Sequence, residues 1–562
     1  MLQLILLHRS YRQAELKVFV MRFASTRRWF GSKNTSARAL WHASSLGRWL
    51  GVGIYVLLVL ILGAGAAIFP ATFIVKFGFL LGSTMVLLVA VLAPGDVSAP
   101  KSLLRFLLYA VTICCVVWPI YLRYKGLPGP GVSPTRLAYW SMAGLFLFWI
   151  IASRDTRTQV PARISLIRPF SILLTVYMGW AIVCALASNY PLMSLYHLGK
   201  LMVGPILMFL VALSSLRGKR DVDTMLALLV LACMGSCAVA ALEVIKKTNI
   251  FYETVPFLFP DGDSSTEEWT EGLIRDKSRG GDYRVMATFS HPLTFGEYLA
   301  ITFPAAVYLA GFATRKWHRA LGFLMIPVIL AGAYVTHTRS SILAIGVAVI
   351  TIATLLSLRA LHQRRSYAAS VVGAFALVVM AAFLLGLVGV AIEMASGQNL
   401  SEAGSSFARV FMLKRGVALA FESPLLGYGP GMAALTLGLL PGFTKLTVDS
   451  YYLSLALESG LPGLLLFTGL LVYMIFRGAA AALQVEGRDG ARIAVIVSAL
   501  ASFTVVRLVL SLTENFDIVF LLMALLAISL EHDTTVTLVG KNATTLADQD
   551  QPASPMRANE TR

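Results

Sequence analysis

The stretch VDSYYLSLALESGLPGLLLF, Val448 to Phe467, carries an acid, a hydroxyl and two phenols at its head and then runs straight into an apolar span. Groups such as Asp449, Ser450, Tyr451 and Tyr452 are costly in lipid. They belong at a membrane face or in a protein-lined cavity. A carboxylate placed there, near arginines from other loops, points to chemistry on an anionic substrate at one side of a membrane.

The rest of the chain supplies the membrane. Its 562 residues are 57% hydrophobic and only 14% charged, which excludes an ordinary soluble domain. A bilayer core needs about 20 apolar residues per helix. Candidate spans by that rule are 49–69, 71–93, 103–122, 137–152, 169–188, 197–215, 222–246, 291–314, 320–336, 341–358, 369–392, 448–476, 492–512 and 516–530. The fold class is therefore all-α: a polytopic bundle of about 12–14 transmembrane helices.

The net charge of +18 has two readings. One is nucleic acid, but no basic face with interleaved aromatics appears in a soluble domain, so no such partner is expected. The other is the positive-inside rule, because the charges sit in short segments between spans. Residues 1–48 hold nine Lys or Arg against Glu15 alone. A transit peptide has that composition; the preferred reading is a basic cytoplasmic arm. With the arm inside, the connections Pro94–Ser102, Arg154–Arg168, Arg217–Asp221, Arg315–Arg319, Arg359–Arg365 and Arg477–Arg492 also fall inside, and all but the first are rich in Arg or Lys. The polar tail 531–562 lies inside too and reads as disordered. Cys114, Cys115, Cys184, Cys233 and Cys237 all lie in apolar runs, which reads as buried thiols without a disulfide framework.

Two long connections, 247–290 and 393–447, then face out. Both are too long for idle connectors. The second contains FARVFMLKRGVALAFESPLLGYGPGM, whose apolar spacing predicts a short interfacial amphipathic helix before a Gly- and Pro-rich turn.

Four positions converge on the outer face: Arg284, Arg339 in the turn THTRSS, Arg409, and Asp449. Outward arginines run against the inside bias. Their forks suit phosphate oxygens, so a lipid pyrophosphate would account for both charge and location. Each has a plainer reading. Arg339 is placed to snorkel or cap, although His337 adds a second polar group to the turn. Arg284 has Asp282 and loop acids within reach. Arg409 and Arg415 both fit the polar face of an interfacial helix. Asp449 is as well placed to cap its helix as to act as a base. Lys200, in YHLGKLMVG, either meets a phosphate or snorkels. Gly427–Gly431 (GYGPG) has backbone N–H groups to offer an anion, and His291 reads as structural. Arg507, Glu514 and Asp517 read as a structural ion-pair cluster. No metal-ligand cluster, nucleotide loop or GxSxG stands out.

Together these pieces resemble the O-antigen ligase and polymerase superfamily, bacterial membrane glycosyltransferases that share the Wzy-C domain. The resemblance covers roughly 284–467. It rests on RVMATFSHPLTFGEYLA, THTRSSILA, ARVFMLKRGVALAFESPLLGYGPG and VDSYYLSLALESGLPGLLLF, in that order. It implies a multi-pass protein of the bacterial inner membrane with a periplasmic active site, using neither metal nor cofactor. Its substrate would be a glycan linked to undecaprenyl pyrophosphate, and its partners membrane lipids, a chain-length regulator and a flippase of the same pathway. By this resemblance Arg284 and Arg339 would hold the leaving pyrophosphate, with Arg409 helping from the loop, and Asp449 would serve as base. Arg415, which competes with Arg409 for that role, and His337, Lys200 and Tyr452 are candidate substrate contacts read from the residues themselves.

One departure matters. Many members, notably the ligases, carry a His-Asn pair where this chain has Asp449-Ser450. A carboxylate accepts a proton as histidine does, but it cannot become a cation. This favours a polymerase of repeat units for exopolysaccharide, capsule or O-antigen over a ligase joining glycan to lipid A core. A lipid-linked sugar transporter remains as a different class. It would favour broken helices and polar groups at mid-membrane.

Overall fold

The computed structural model describes residues 101–119, 121–122, 133–153, 160–161, 163–165, 167–251, 283–363, 371, 375, 400–438 and 448–531. The expected spans 49–69, 71–93 and 369–392 lie outside these, as do the basic arm and the tail, apart from single residues. Residues 99–146 and 155–562 form one compact unit, and 147–154 group with 1–98 in another. Of that second unit only the end of one helix and Ser153 are described.

The described residues form helices joined by turns, with no strand among them. The first five are α1 (Lys101–Val117), α2 (Pro134–Ala152), α3 (Arg168–Ala187), α4 (Pro191–Ser215) and α5 (Lys219–Lys246). Next come α6 (Pro292–Phe312), α7 (Lys316–Val335), α8 (Arg339–His362) and α9 (Leu400–Glu422). The short α10 (Ala433–Leu437), α11 (Tyr451–Gln484) and α12 (Gly487–Val506) follow, and α13 covers 516–531. Eight of them, α3 to α8 with α11 and α12, are long and apolar enough to cross a membrane.

Helix α6 is the axle of the bundle. It packs against α5, α7, α8 and α12, and almost all of its residues are buried. Its one acid, Glu297, is fully buried and meets the equally buried Arg507 at the end of α12. Asn515 donates to Glu297 at 2.8 Å and to the Thr294 carbonyl at 3.0 Å. The Arg507 guanidinium also donates to the Leu510 and Leu512 carbonyls and lies 4.6 Å from the Phe503 ring centre and 5.0 Å from that of Phe516. The expected cluster of Arg507, Glu514 and Asp517 is thus corrected: the ion-pair partner is Glu297, 210 positions away in the chain. Glu514 instead accepts from the hydroxyl and backbone N–H of Ser290, and Asp517 packs toward Gly204 of α4.

The opposite ends of these helices carry a second network. Asp223 accepts from Arg488, from Arg492 at 2.7 Å and from the Tyr308 phenol at 2.7 Å. Asp489 pairs with Lys219 and Arg492, and Arg105 with Asp221. The basic connections at this end are therefore tied to acids of the first helical turns.

Helix α11 is two helices joined at Gly460, whose φ is +66°. A straight helix would set Tyr451 and Phe467 roughly 24 Å apart. Their ring centres are 5.4 Å apart, and both rings meet Phe516. The chain therefore folds back at the break. The cause is legible in Glu458-Ser459-Gly460-Leu461-Pro462-Gly463. Pro462 has no N–H to return to the Glu458 carbonyl, and the left-handed glycine turns the next N–H groups away. The orphaned carbonyls find other donors. Tyr428 N–H reaches the Leu457 carbonyl at 2.7 Å, Gly429 N–H the Glu458 carbonyl at 2.9 Å, and the Trp180 indole the Ser459 carbonyl at 2.9 Å. Leu461 N–H goes to the Pro424 carbonyl at 2.8 Å. This corrects the reading of GYGPG as an anion cradle: two of its N–H groups seal the break in α11. A third, from Gly431, points at the Glu458 carboxylate.

Replacing Glu297 by Ala leaves the Arg507 charge buried and unpaired, and should cost about 3–5 kcal/mol, read as a lowered unfolding midpoint of the purified protein in detergent. Gly460→Ala forces a Cβ into the Leu425 carbonyl at positive φ and should cost more than about 1 kcal/mol. Gly469→Ala, where a Cβ meets nothing within 4 Å, should be neutral or stabilising in the same measurement.

Candidate functional site

The segment 283–291 enters α6 as a strap across the bundle end. Arg284 Nε donates to the Thr336 carbonyl at 3.3 Å, and Val285 N–H to the Val335 carbonyl at 3.3 Å. Arg284 is thereby fixed to the THTRSS turn that carries Arg339. His291 caps α6 through Nδ1, which accepts from Leu293 N–H at 3.1 Å, so its structural reading holds.

The turn itself is knotted by hydroxyls. Thr336 and Thr338 are buried and bonded to each other at 2.7 Å, and Thr338 bonds Ser341. Gly296 of α6 sits so close to Ser341 and Thr338 that a Cβ there would overlap them. The first turns of α6 and α8 are thus packed together. Between the two threonines, His337 is exposed with φ +47°. Arg339 is exposed and opens α8. A cation at a helix N-terminus opposes the macrodipole. Its side chain and the first-turn N–H groups together make a place that favours an anion.

The mouth of α11 answers the question about Asp449. The N-cap is Ser450, whose hydroxyl accepts from Leu453 N–H at 3.5 Å. Asp449 stands one residue before it, half-buried, so the N-cap position belongs to Ser450 and not to Asp449. Its flanks are pinned to the α12–α13 loop. Tyr451 N–H donates to the Arg507 carbonyl at 3.0 Å, and the Ser511 hydroxyl to the Val448 carbonyl. Glu514 lies in that loop, and burial pushes its carboxyl above the ordinary value against the pull of the Ser290 hydrogen bonds. Tyr452, a candidate substrate contact, donates its phenol to the Thr504 carbonyl at 2.9 Å.

The remaining candidates sit on other elements. Arg409 falls on α9, ahead of the side chains described. Arg415 is exposed on the same helix, its guanidinium beside Gly438. Helix α9 is longer than the short one predicted. It rests on the first arm of α11, with Met412 and Ala420 packed with Leu453 and Leu457. Lys200 is exposed on α4, one turn from His197, which packs against Gly431.

The structure thus ties Arg284 to the Arg339 turn directly. It ties that turn to the Asp449 mouth through α6 and the Glu297–Arg507 pair. Sequence reasoning missed Glu297 and Glu243, although each is an acid inside an apolar run, which is itself a functional signal. Among the described residues no group of three or more His, Cys, Asp or Glu is placed to hold a metal ion.

No curated protein matches the chain. Residues 328–468 match the family model described as O-antigen ligase, Wzy-C, and over that region the resemblance noted in the sequence holds. The match takes in the Arg339 turn, α9, the Asp449 mouth and the break in α11, and it leaves Arg284 outside. It supports a membrane protein that processes glycans, with a helical membrane bundle carrying an O-antigen ligase-type region.

Proposed function

We propose that the protein is a glycosyltransferase that polymerises lipid-pyrophosphate-linked oligosaccharide repeat units at the membrane end bearing Arg339. The observation that carries this reading is the joining of Arg284, the Arg339 turn and the Asp449 mouth at one end, within and beside the Wzy-C region. The opposite end, with its basic connections held by acids, faces the cytoplasm.

In the reaction an acceptor sugar hydroxyl attacks the anomeric carbon of the donor glycan. The bond from that carbon to the pyrophosphate oxygen breaks on the far side, inverting the linkage. Asp449 takes the hydroxyl proton. Arg284 and Arg339 hold the negative charge that builds on the leaving lipid pyrophosphate, aided by the N-terminus of α8. Arg409 and Arg415 approach from α9, which flanks the same mouth. No nucleotide or metal enters these steps.

The broken α11 is a feature that transporters share. Here, however, the carbonyls freed at the break are taken by Tyr428, Gly429 and Trp180, so they do not offer an ion site. The arm 461–484 is roughly 36 Å long, enough to span alone, which sets the break toward one end.

Reconstitution with purified lipid-linked repeat unit tests the reading. Longer lipid-linked chains are expected. Transfer to lipid A core would make it a ligase, and translocation without product a transporter. Arg339→Ala should lower chain lengthening about 10²–10³-fold and Asp449→Asn about 10²–10⁴-fold, with the protein still in the membrane. Arg339→Lys should also be impaired, because a point charge does not replace the fork. Normal chain lengths in the Ala and Asn variants would sink the site.

A further inference from the structure

The strap that carries Arg284 is clamped by a carboxylate from a neighbouring helix. Glu243, on the last turns of α5, is 1% exposed. Its Oε1 accepts from the Tyr283 phenol at 2.7 Å and from Met286 N–H at 3.4 Å, and its Oε2 from Ala287 N–H at 2.7 Å. The three donors straddle Arg284, one before it and two after. Ala287 has φ +52°, a conformation that L residues other than Asn and Asp seldom adopt. That turn points the successive N–H groups of Met286 and Ala287 at one carboxylate, the arrangement of a backbone nest. A strained nest closed on an internal carboxylate holds the strap in one shape. Beyond it, the Thr288 hydroxyl donates to the Val116 carbonyl at 2.6 Å.

We propose that Glu243 is a positioning residue: it fixes the strap so that the Arg284 guanidinium meets the leaving pyrophosphate in register with Arg339. This rests on the polymerase reading above. Among the described residues, every hydrogen bond that the Glu243 carboxylate accepts comes from the strap, so its effect on the reaction passes through the segment that carries Arg284. The neutral amide does not substitute. A glutamine has one acceptor oxygen, and its NH2 would face a donor.

The test uses the full chain with Glu243→Gln and Tyr283→Phe, each alone and with Arg284→Ala. Hydrogen–deuterium exchange of residues 283–291 reads the strap. Chain lengthening on purified lipid-linked repeat unit reads the reaction, and titration with inorganic pyrophosphate reads the anion site. Expected are faster exchange confined to the strap and a fall in kcat of about ten- to a hundredfold with little change in KM. No further loss should appear when either change is added to Arg284→Ala. Unchanged strap exchange would overturn the clamp, and so would losses that multiply with Arg284→Ala. If Glu243→Gln does not fold, Tyr283→Phe, which removes one hydroxyl, carries the test alone. If the wild-type protein lengthens no chain, the polymerase reading falls and the titration decides the clamp. Non-additive weakening of pyrophosphate binding by the Tyr283 and Arg284 changes upholds it, and equal affinity across the variants overturns it.

Discussion

The pairing of Arg507 with Glu297 is the constraint on which this end of the bundle depends. Taking both charges out of water costs several kcal/mol per ion, and the loss is offset only where geometry and extra hydrogen bonds are good. Here both hold. Glu297 gains Asn515 as a second donor, and Arg507 gains two backbone carbonyls and aromatic faces. Those carbonyls belong to the irregular segment between α12 and α13. Irregular backbone is tolerated at such a place only when its polar groups find partners, and Arg507 supplies them. The same residue offers its own carbonyl to Tyr451 N–H. One arginine therefore fixes α6, α12, the following loop and the mouth of α11 relative to one another.

The two ends of the bundle use arginine differently. At one end Arg488 and Arg492 converge on Asp223, and Arg492 also meets Asp489. Positive charge is matched there by negative charge within the chain. At the other end the Arg284 guanidinium donates to the Thr336 carbonyl, which orients it toward the turn that carries Arg339. Arg339 opens a helix, where the dipole adds to its charge rather than cancelling it. An arginine set on a helix N-terminus beside a second arginine held on the same turn gathers positive potential at that end, which favours an anion there.

The transmembrane helices were legible because hydropathy is a local property. The predicted span 169–188 is α3 at Arg168–Ala187, and 291–314 is α6 at Pro292–Phe312. The site was legible only in part, because what sets its geometry is not local. Arg507 was read with Glu514 and Asp517, which are near it in sequence, whereas its partner is an acid on α6. Asp449 and Ser450 are both good caps in adjacent positions, and only backbone dihedrals separate them. The N–H groups of GYGPG were read as open because nothing in that segment reveals the carbonyls released at Gly460.

Those carbonyls explain why the Glu-Ser-Gly-Leu-Pro-Gly run follows so closely on Asp449. A continuous helix from Tyr451 would carry Phe467 far from the mouth and leave no separate arm. With the break, 451–459 becomes a short helix with Asp449 at its base, and α9 lies against its side. The break must be sealed from within, and the Gly-rich turn after α9 does so with Tyr428 and Gly429 N–H. Sealing the break therefore also anchors α9, and with it the backbone that carries Arg409 and Arg415. The proline that frees the Glu458 carbonyl and the glycine that reaches it, Gly429, are parts of one device, which holds α9 against the arm that begins at the Asp449 mouth.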